Sequence, residues 1–208
     1  MVRLILTRHG ETSWNAKRRY QGQTDVPLSD VGRRQAAALS RRLALREIHA
    51  IYVSDLQRAF ETAQIIAEPH GLSPVVAPCL REISFGDWEG LTYDEVQARD
   101  PENLAAWLST PVDVAPAHGE TMSQVAERVK PLLDTLVRDH QGQTVLWVTH
   151  GGLLRILLCL LLELPLRSHW KLRMDNTALS ELEIYDNGAI LNYMNDCHHL
   201  DHIGEHIT

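Results

Sequence analysis

Two apolar runs, Val2 to Leu6 and Val145 to Val148, each end in Thr and spill at once into a His-Gly turn. The first reads Leu6-Thr7-Arg8-His9-Gly10-Glu11-Thr12 and the second Val148-Thr149-His150-Gly151-Gly152. A short continuous run of Val, Leu and Ile closed by glycine reads as a fully buried strand. Such a strand delivers the side chains at its end to a cleft, because open α/β sheets bind ligands beyond the carboxyl ends of their strands. The pair therefore predicts a parallel sheet with His9 and His150 facing one another across a single site.

Elsewhere strands alternate with helices. Ser29-Asp30 marks a helix start, with Ala36, Leu39 and Leu43 at helical spacing. Ala50 to Val53 reads as a strand, followed by a helix from about Gln57 to His70 that Gly71 closes as a C-cap. Pro74 to Ala77 reads as a third strand, and Thr92 to His140 as mostly helical, with Thr121 to Asp139 its longest helix. Gly152 to Leu162 reads as a buried helix, and Ala178 to Ile184 with Ala189 to Met194 as a hairpin across Asp186-Asn187-Gly188. The alternation predicts an α/β/α three-layer sandwich with a mainly parallel sheet and an antiparallel edge. One domain over residues 1–208 is expected, with a helical insertion at about 92–140 and a polar tail at about 196–208.

A formal net charge of −7 argues against nucleic acid and anionic membranes as partners. Against it, Arg3, Arg8, Arg18 and Arg19 gather in sequence around the first histidine and point to a small anionic ligand. Cys79, Cys159 and Cys197 form no Cys-x-x-Cys pair and fit a reducing compartment. No signal peptide is read at the start, and Ile156 to Leu162, the most apolar run, is far too short to span a membrane. The expectation is a soluble cytoplasmic protein. An edge strand such as Ala178 to Ile184 would permit pairing in a homodimer.

Arg8 and His9 leave the strand together and can converge on one bound group. A guanidinium grips phosphate oxygens in a bidentate fork, and a neutral imidazole beside it can attack phosphorus. Neighbouring arginine charge favours that neutral form. Arg58 stands in the first turn of a helix, where free N–H groups attract anions. Glu82 sits among Ile83, Phe85 and Trp88, an apolar setting that would raise the pKa of a carboxyl and suit it to protonate a leaving alkoxide. Taken singly, each histidine reads as a hydrogen-bonded strand end, Arg58 as a solvated helix residue and Glu82 as a surface acid. Only their joint placement carries chemistry.

A metal on His9 and His150 conflicts with the arginine beside them, so an anion is favoured and no metal is expected. There is no Gly-x-Ser-x-Gly elbow, P-loop or Gly-x-Gly-x-x-Gly fingerprint. His202-Ile203-Gly204-Glu205-His206 matches a zinc pattern, but it contains a glycine and lacks a third ligand downstream, and it reads as coincidence.

The ordered set of motifs resembles the histidine phosphatase superfamily, also called phosphoglycerate mutase-like. Arg8-His9-Gly10-Glu11-Thr12 with Trp14-Asn15 is similar to its opening signature, and Gln21 to Ser29 with Gly32 to the loop and helix start that follow. Ser54-Asp55-Leu56-Gln57-Arg58-Ala59 with Thr62-Ala63 resembles its second arginine motif. Leu80-Arg81-Glu82 and Thr149-His150-Gly151-Gly152 resemble the segments of its acid and second histidine. The resemblance implies His9 as the phosphorylated nucleophile, with Arg8, Arg58 and His150 holding phosphoryl oxygens and Glu82 as general acid and then base. Asn15, Gln21, Gly22 and Gly151 would line the phosphate or its rim, with no metal or organic cofactor.

The same resemblance covers hydrolases and mutases. The short segment between Glu82 and His150, with Phe85-Gly86-Asp87-Trp88-Glu89-Gly90, looks like the phosphatase branch. The expected reaction is hydrolysis of a small phosphorylated metabolite. Phosphoglycerate mutase and a non-catalytic regulatory member of the fold are the alternatives. Candidate substrates are α-ribazole 5′-phosphate, phosphoserine, sugar phosphates or a broad range. Phe85 stands where metal-independent phosphoserine phosphatases tend to place a histidine. His198 and His199 either cap the pocket or are solvated.

Overall fold

The computed structural model describes residues 1–201, so the His202 to His206 pattern lies outside the described residues. In chain order the regular elements are β1 (Val2–Arg8), α1 (Ser13–Ala16), α2 (Asp30–Leu43), β2 (Ala50–Val53), α3 (Gln57–Ala67), β3 (Val75–Val76), α4 (Tyr93–Arg99), α5 (Pro101–Ser109), α6 (Met122–Asp139), β4 (Thr144–Thr149), α7 (Gly151–Leu161), β5 (Leu179–Tyr185) and β6 (Gly188–Asp196). Their starts follow side-chain chemistry. Ser29, Thr92 and Thr121 each turn a hydroxyl back onto a first-turn amide of α2, α4 and α6. α3 stops short of the expected His70 because Pro69 has no N–H, and a 3-10 turn over Glu68–His70 finishes the segment at Gly71, whose φ is 63°.

The six strands run in the order β3-β2-β4-β1-β5-β6. The first four are mutually parallel, and β5 turns antiparallel to β1 and to β6. Alternation along the central strands sorts the core into two layers. Val2, Leu4, Leu6, Val145 and Trp147 pack with α6 and α7 on one face, whereas Ile5, Leu146 and Val148 pack with α2 and α3 on the other. The three-layer sandwich with an antiparallel edge is what the alternation of elements predicts.

One expectation is corrected. Ala178 to Ile184 is not an edge, because β5 is hydrogen-bonded to β1 on one side and β6 on the other. The hairpin covers the free side of β1 with its first strand and leaves its second outside, so a homodimer built by strand pairing would have to use β6 or β3. Within the helical stretch, α6 is one of the sheet-covering helices, while α4 and α5 contribute to a separate cluster of Trp88, Val96, Leu104 and Trp107. No helix among the described residues is long and apolar enough to cross a membrane.

Candidate active site

β1 and β4 are adjacent and parallel, with Arg8 opposite Thr149 in the register. The His9 amide continues the pairing by donating to the Thr149 carbonyl at 2.9 Å. Both histidines therefore leave the sheet at the same level, and their ring centroids are 5.1 Å apart with a tilt of 59°. The facing pair expected from the two turns is present.

Each ring has one nitrogen spoken for. His9 Nδ1 is 2.7 Å from the Gly10 carbonyl, so in a neutral ring Nδ1 carries the proton and Nε2 the free lone pair. His150 Nε2 shares a 2.9 Å hydrogen bond with the Ser54 hydroxyl, and its Nδ1 is buried without a partner among the described residues. Burial first, and then the Arg58 and Arg8 charges, hold His9 well below the usual histidine range. Burial and Arg58 do the same at His150, followed by His9 and Arg8. Both rings are neutral around pH 7.

Arg58 comes from the second position of α3 and is completely buried. Its Nη1 donates to the Thr24 carbonyl (2.8 Å) and its Nη2 to the Gly22 carbonyl (2.7 Å), while Nε has no partner among the described residues. Burial lowers its pKa to about 10, which still leaves it charged at neutral pH. Arg8 donates from Nη1 to the Met174 carbonyl at 2.9 Å, and its Nε is likewise buried and unpartnered. Two arginines and a histidine thus surround the His9 ring with donors left over. That is an anion's environment.

Glu82 is where sequence and structure differ in emphasis. The apolar neighbours are there, but its carboxylate is held by amides: Gly152 N–H donates to Oε2 (2.9 Å), and Leu153 and Ile83 N–H to Oε1 (2.9 and 3.0 Å). The first turn of α7 thereby orients it. Gly152 leaves room for this approach, since a Cβ there would lie 2.5 Å from Glu82 Oε1 and the carboxylate would have to shift.

The rim residues are drawn in. Arg8, His9, Asn15, Gln21, Gly22, Arg58, Glu82 and Gly151 all line one cavity of about 230 Å³. Asn15 Oδ1 accepts from the Thr12 amide, and Gln21 Oε1 from the Thr12 hydroxyl. The cluster of four arginines, by contrast, does not form. Arg3 is at the far end of β1 between Glu181 and Glu183, Arg18 is exposed, and Arg19 lines the cavity but is tied to Glu95 and the Gly90 carbonyl. Arg3 and Arg8, near in sequence, are separated by the length of an extended strand.

Several supporting residues escape sequence reasoning. Glu89 accepts from the amides of Gln23 (2.9 Å), Thr24 (2.8 Å) and Phe85 (3.1 Å), and from the Thr24 hydroxyl. It thus braces the loop whose carbonyls hold Arg58. Gly22, at φ 54°, permits this, because a Cβ would fall 1.9 Å from Glu89 Oε1. Asn176 Nδ2 donates to the His9 carbonyl at 2.8 Å from far along the chain. Thr62 accepts from the Gly10 amide at 3.1 Å, and its place in the Arg58 motif was the one available signal.

Known proteins share this arrangement of elements. Phosphoserine phosphatase 1 of Hydrogenobacter thermophilus is 35% identical over 199 residues, covering 95% of this chain and 94% of that protein. A probable phosphoglycerate mutase of Yersinia pestis is 35% identical over 206 residues, covering 97% and 96%. The structure of an alpha-ribazole phosphatase from Shigella flexneri superposes with a TM-score of 0.86 at 32% identity, covering 94% of this chain and 96% of that one. The sequence profile of the histidine phosphatase superfamily (branch 1) matches residues 4–197. Fold, motif order and a match over nearly the whole length agree: the chain belongs to the histidine phosphatase superfamily.

Proposed function

We propose that the protein is a metal-independent phosphatase that hydrolyses phosphomonoesters of small metabolites in two steps through a phosphohistidine on His9. The observation that carries this reading is the state of His9. Its Nδ1 is committed to the Gly10 carbonyl, its ring is neutral, and two arginine side chains flank it. In the first step the Nε2 lone pair attacks phosphorus and the bond from phosphorus to the alcohol oxygen breaks. Glu82, entering protonated, gives its proton to the leaving oxygen. Its Oε2 accepts only the Gly152 amide and so has a lone pair left for that proton.

In the second step the Glu82 carboxylate takes a proton from water as the water oxygen attacks phosphorus. The phosphorus–nitrogen bond breaks, its electron pair returns to Nε2, and Glu82 is protonated again. Arg8 and Arg58 stabilise the charge on the equatorial oxygens throughout. A neutral His150 that accepts the Ser54 hydroxyl at Nε2 carries its proton on Nδ1 and donates it to a third oxygen. Asn15, Gln21, Gly22 and Gly151 shape the rim. No metal or organic cofactor takes part, and neither nucleic acid nor membrane is a partner. The reaction is assigned to the cytoplasm.

Release of phosphate from p-nitrophenyl phosphate should vanish in His9→Ala, and alkaline quenching during turnover should trap phosphate on His9 by mass spectrometry. Equal turnover by both proteins would overturn the reading. Incubation with 3-phosphoglycerate and a bisphosphoglycerate primer separates hydrolysis from mutase activity: isomerisation without phosphate release would reverse the assignment.

A further inference from the structure

Residues 174–177, which lead into β5, support the nucleophile strand from the side. The Met174 carbonyl accepts from Arg8 Nη1 (2.9 Å), Asn176 Nδ2 donates to the His9 carbonyl (2.8 Å), and the Thr177 amide donates to the Arg8 carbonyl (3.0 Å). We propose that Asn195, on β6 and not among the residues lining the cavity, is a positioning residue for the His9 centre. Its side chain clamps this segment at Asp175 and so holds Arg8 and His9 where the phosphoryl group needs them. The inference rests on the phosphatase reading for its effect on turnover, but not for its effect on anion binding.

Asn195 Oδ1 accepts from the Asp175 amide at 2.7 Å, and its Nδ2 donates to Asp175 Oδ2 at 2.9 Å. Both ends of the side-chain amide are therefore committed to one residue. The strand is irregular at this point. Leu179 pairs with Asp196 and Glu181 with Tyr193, so two steps along β5 are matched by three along β6. The extra residue makes a bulge, which re-aims a side chain out of the regular ladder. Asn195 has a φ of 57°, a left-handed conformation that asparagine tolerates better than most residues, and its own amide donates to Ser180 Oγ at 3.1 Å. Regular pairing is given up where the clamp is made.

The clamped segment is itself strained. Thr177 is completely buried at a φ of 55°, and its Oγ1 has no partner among the described residues. A β-branched residue is rare there, and such a conformation persists only where its surroundings fix it. The Arg8 carbonyl fixes it on one side and Asn195, through Asp175, on the other. Asp175 also acts on Arg8 by charge: burial pushes the Arg8 pKa down, and the Glu82 and Asp175 carboxylates oppose that. Beyond the bulge, Asp196 pairs with Arg42 of α2, and His199 Nδ1 lies 3.2 Å from Arg42 Nη1. The end of β6 is thus anchored to a sheet-covering helix, and His199 is half-buried against α2 and does not line the cavity.

Two single substitutions open the clamp. Asn195→Asp keeps the size of the side chain but sets a carboxylate oxygen 2.9 Å from Asp175 Oδ2, and like charges repel. Asn195→Gly accepts the left-handed backbone and has no side chain to clamp with. The exchanged pair, Asp175→Asn with Asn195→Asp, re-forms both hydrogen bonds with one polarity reversed. Calorimetry at pH 8 measures binding of inorganic phosphate to each full-length protein, and p-nitrophenyl phosphate gives kcat/KM. Both single variants should weaken phosphate about tenfold and lower kcat/KM about ten- to a hundredfold. The exchange should bring both quantities to within about threefold of the unsubstituted protein. Asn192→Ala removes a 3.1 Å hydrogen bond to Glu181 on the same strand, and should lower the urea midpoint while leaving both quantities unchanged. Unchanged phosphate affinity in Asn195→Gly would overturn the proposal. So would an equal loss in Asn192→Ala, which would assign the effect to β6 as a whole. An exchanged pair that restores folding without phosphate affinity would make the clamp structural only, and would overturn it too. Failure of the hydrolytic reading shows separately, as p-nitrophenyl phosphate turnover that survives His9→Ala, and leaves the phosphate affinities to decide Asn195.

Discussion

Glu89 touches neither histidine, yet the geometry makes it the brace of Arg58, and two substitutions measure how strongly. Glu89→Gln keeps the shape and turns one acceptor oxygen into an NH2. The amide settles where least is lost. At Oε1 the NH2 would confront the Gln23 and Phe85 amides, whereas at Oε2 it confronts only the Thr24 amide, since the Thr24 hydroxyl can rotate and accept. One backbone N–H is left unmet, a cost of about 1–3 kcal/mol, and the partial exposure of Glu89 puts it near about 1 kcal/mol. Glu89→Ala abandons all three amides and should cost about 3 kcal/mol after water replaces part of what is lost. The loop is also what holds the Arg58 Nη atoms, so anion affinity should fall in parallel. The expected weakening of orthovanadate inhibition is under about tenfold for Gln and about ten- to a hundredfold for Ala. Urea unfolding at pH 7.5 gives the first quantity, and vanadate inhibition of p-nitrophenyl phosphate turnover the second. If Ala proves no worse than Gln, or unfolds earlier while vanadate affinity is unchanged, Arg58 is positioned without the loop and the reasoning is wrong.

Other expectations follow from the same geometry. Gly152→Ala places a Cβ 2.5 Å from Glu82 Oε1 and should lower kcat about 10- to 100-fold with a smaller change in KM; an unchanged kcat would remove Glu82 from the reaction. His9 and His150 both have folded pKa values held well below that of the free side chain, so the unfolded chain binds protons that the folded chain does not. Their contribution to stability is complete above about pH 6.5 and falls by up to about 1.4 kcal/mol per pH unit for each histidine below it. Urea denaturation at pH 6.5 and 5.5 should show a shallower slope in His9→Ala, and an identical slope would contradict the depressed pKa. For the same reason the acid limb of the kcat/KM profile should lie below the ordinary histidine value of about 6.5, a pH–rate series deciding it. Turnover should survive exhaustive dialysis against a chelator; loss restored by stoichiometric zinc would reinstate the metal reading of the tail.

What the sequence disclosed depended on whether the cause was local. The strands before His9 and His150 could be read because burial on both faces makes a continuous apolar run. Ser29 could be read because a cap is a three-residue event. Arg3 and Arg8 could not be told apart by proximity alone, since five residues of strand separate their ends by about 16 Å and deliver them to opposite rims of the sheet. The interior place of β5 depended on which strand had a free side, which is a property of the whole sheet. Glu89 and Asn176 act through contacts with distant segments, and nothing in their immediate neighbours announces that. The amide cradle of Glu82 belongs to the same class: the apolar neighbours were visible, but the helix start that meets it was not.

The parallel pairing of β1 with β4 has a consequence for how such a protein can diversify. The separation of His9 from His150 is set by strand spacing and by the hydrogen bond from His9 N–H to the Thr149 carbonyl, so drift in the surrounding loops cannot retune it. Trp107 on α5, and His169 and Trp170 on the 3-10 turn Leu166–Lys171, also line the cavity, and these elements take no part in that pairing. A lineage can therefore rebuild those cavity walls by insertion or substitution while inheriting the pair of histidines intact. Relatives with different preferred substrates are the expected descendants of one unchanged pair of strands.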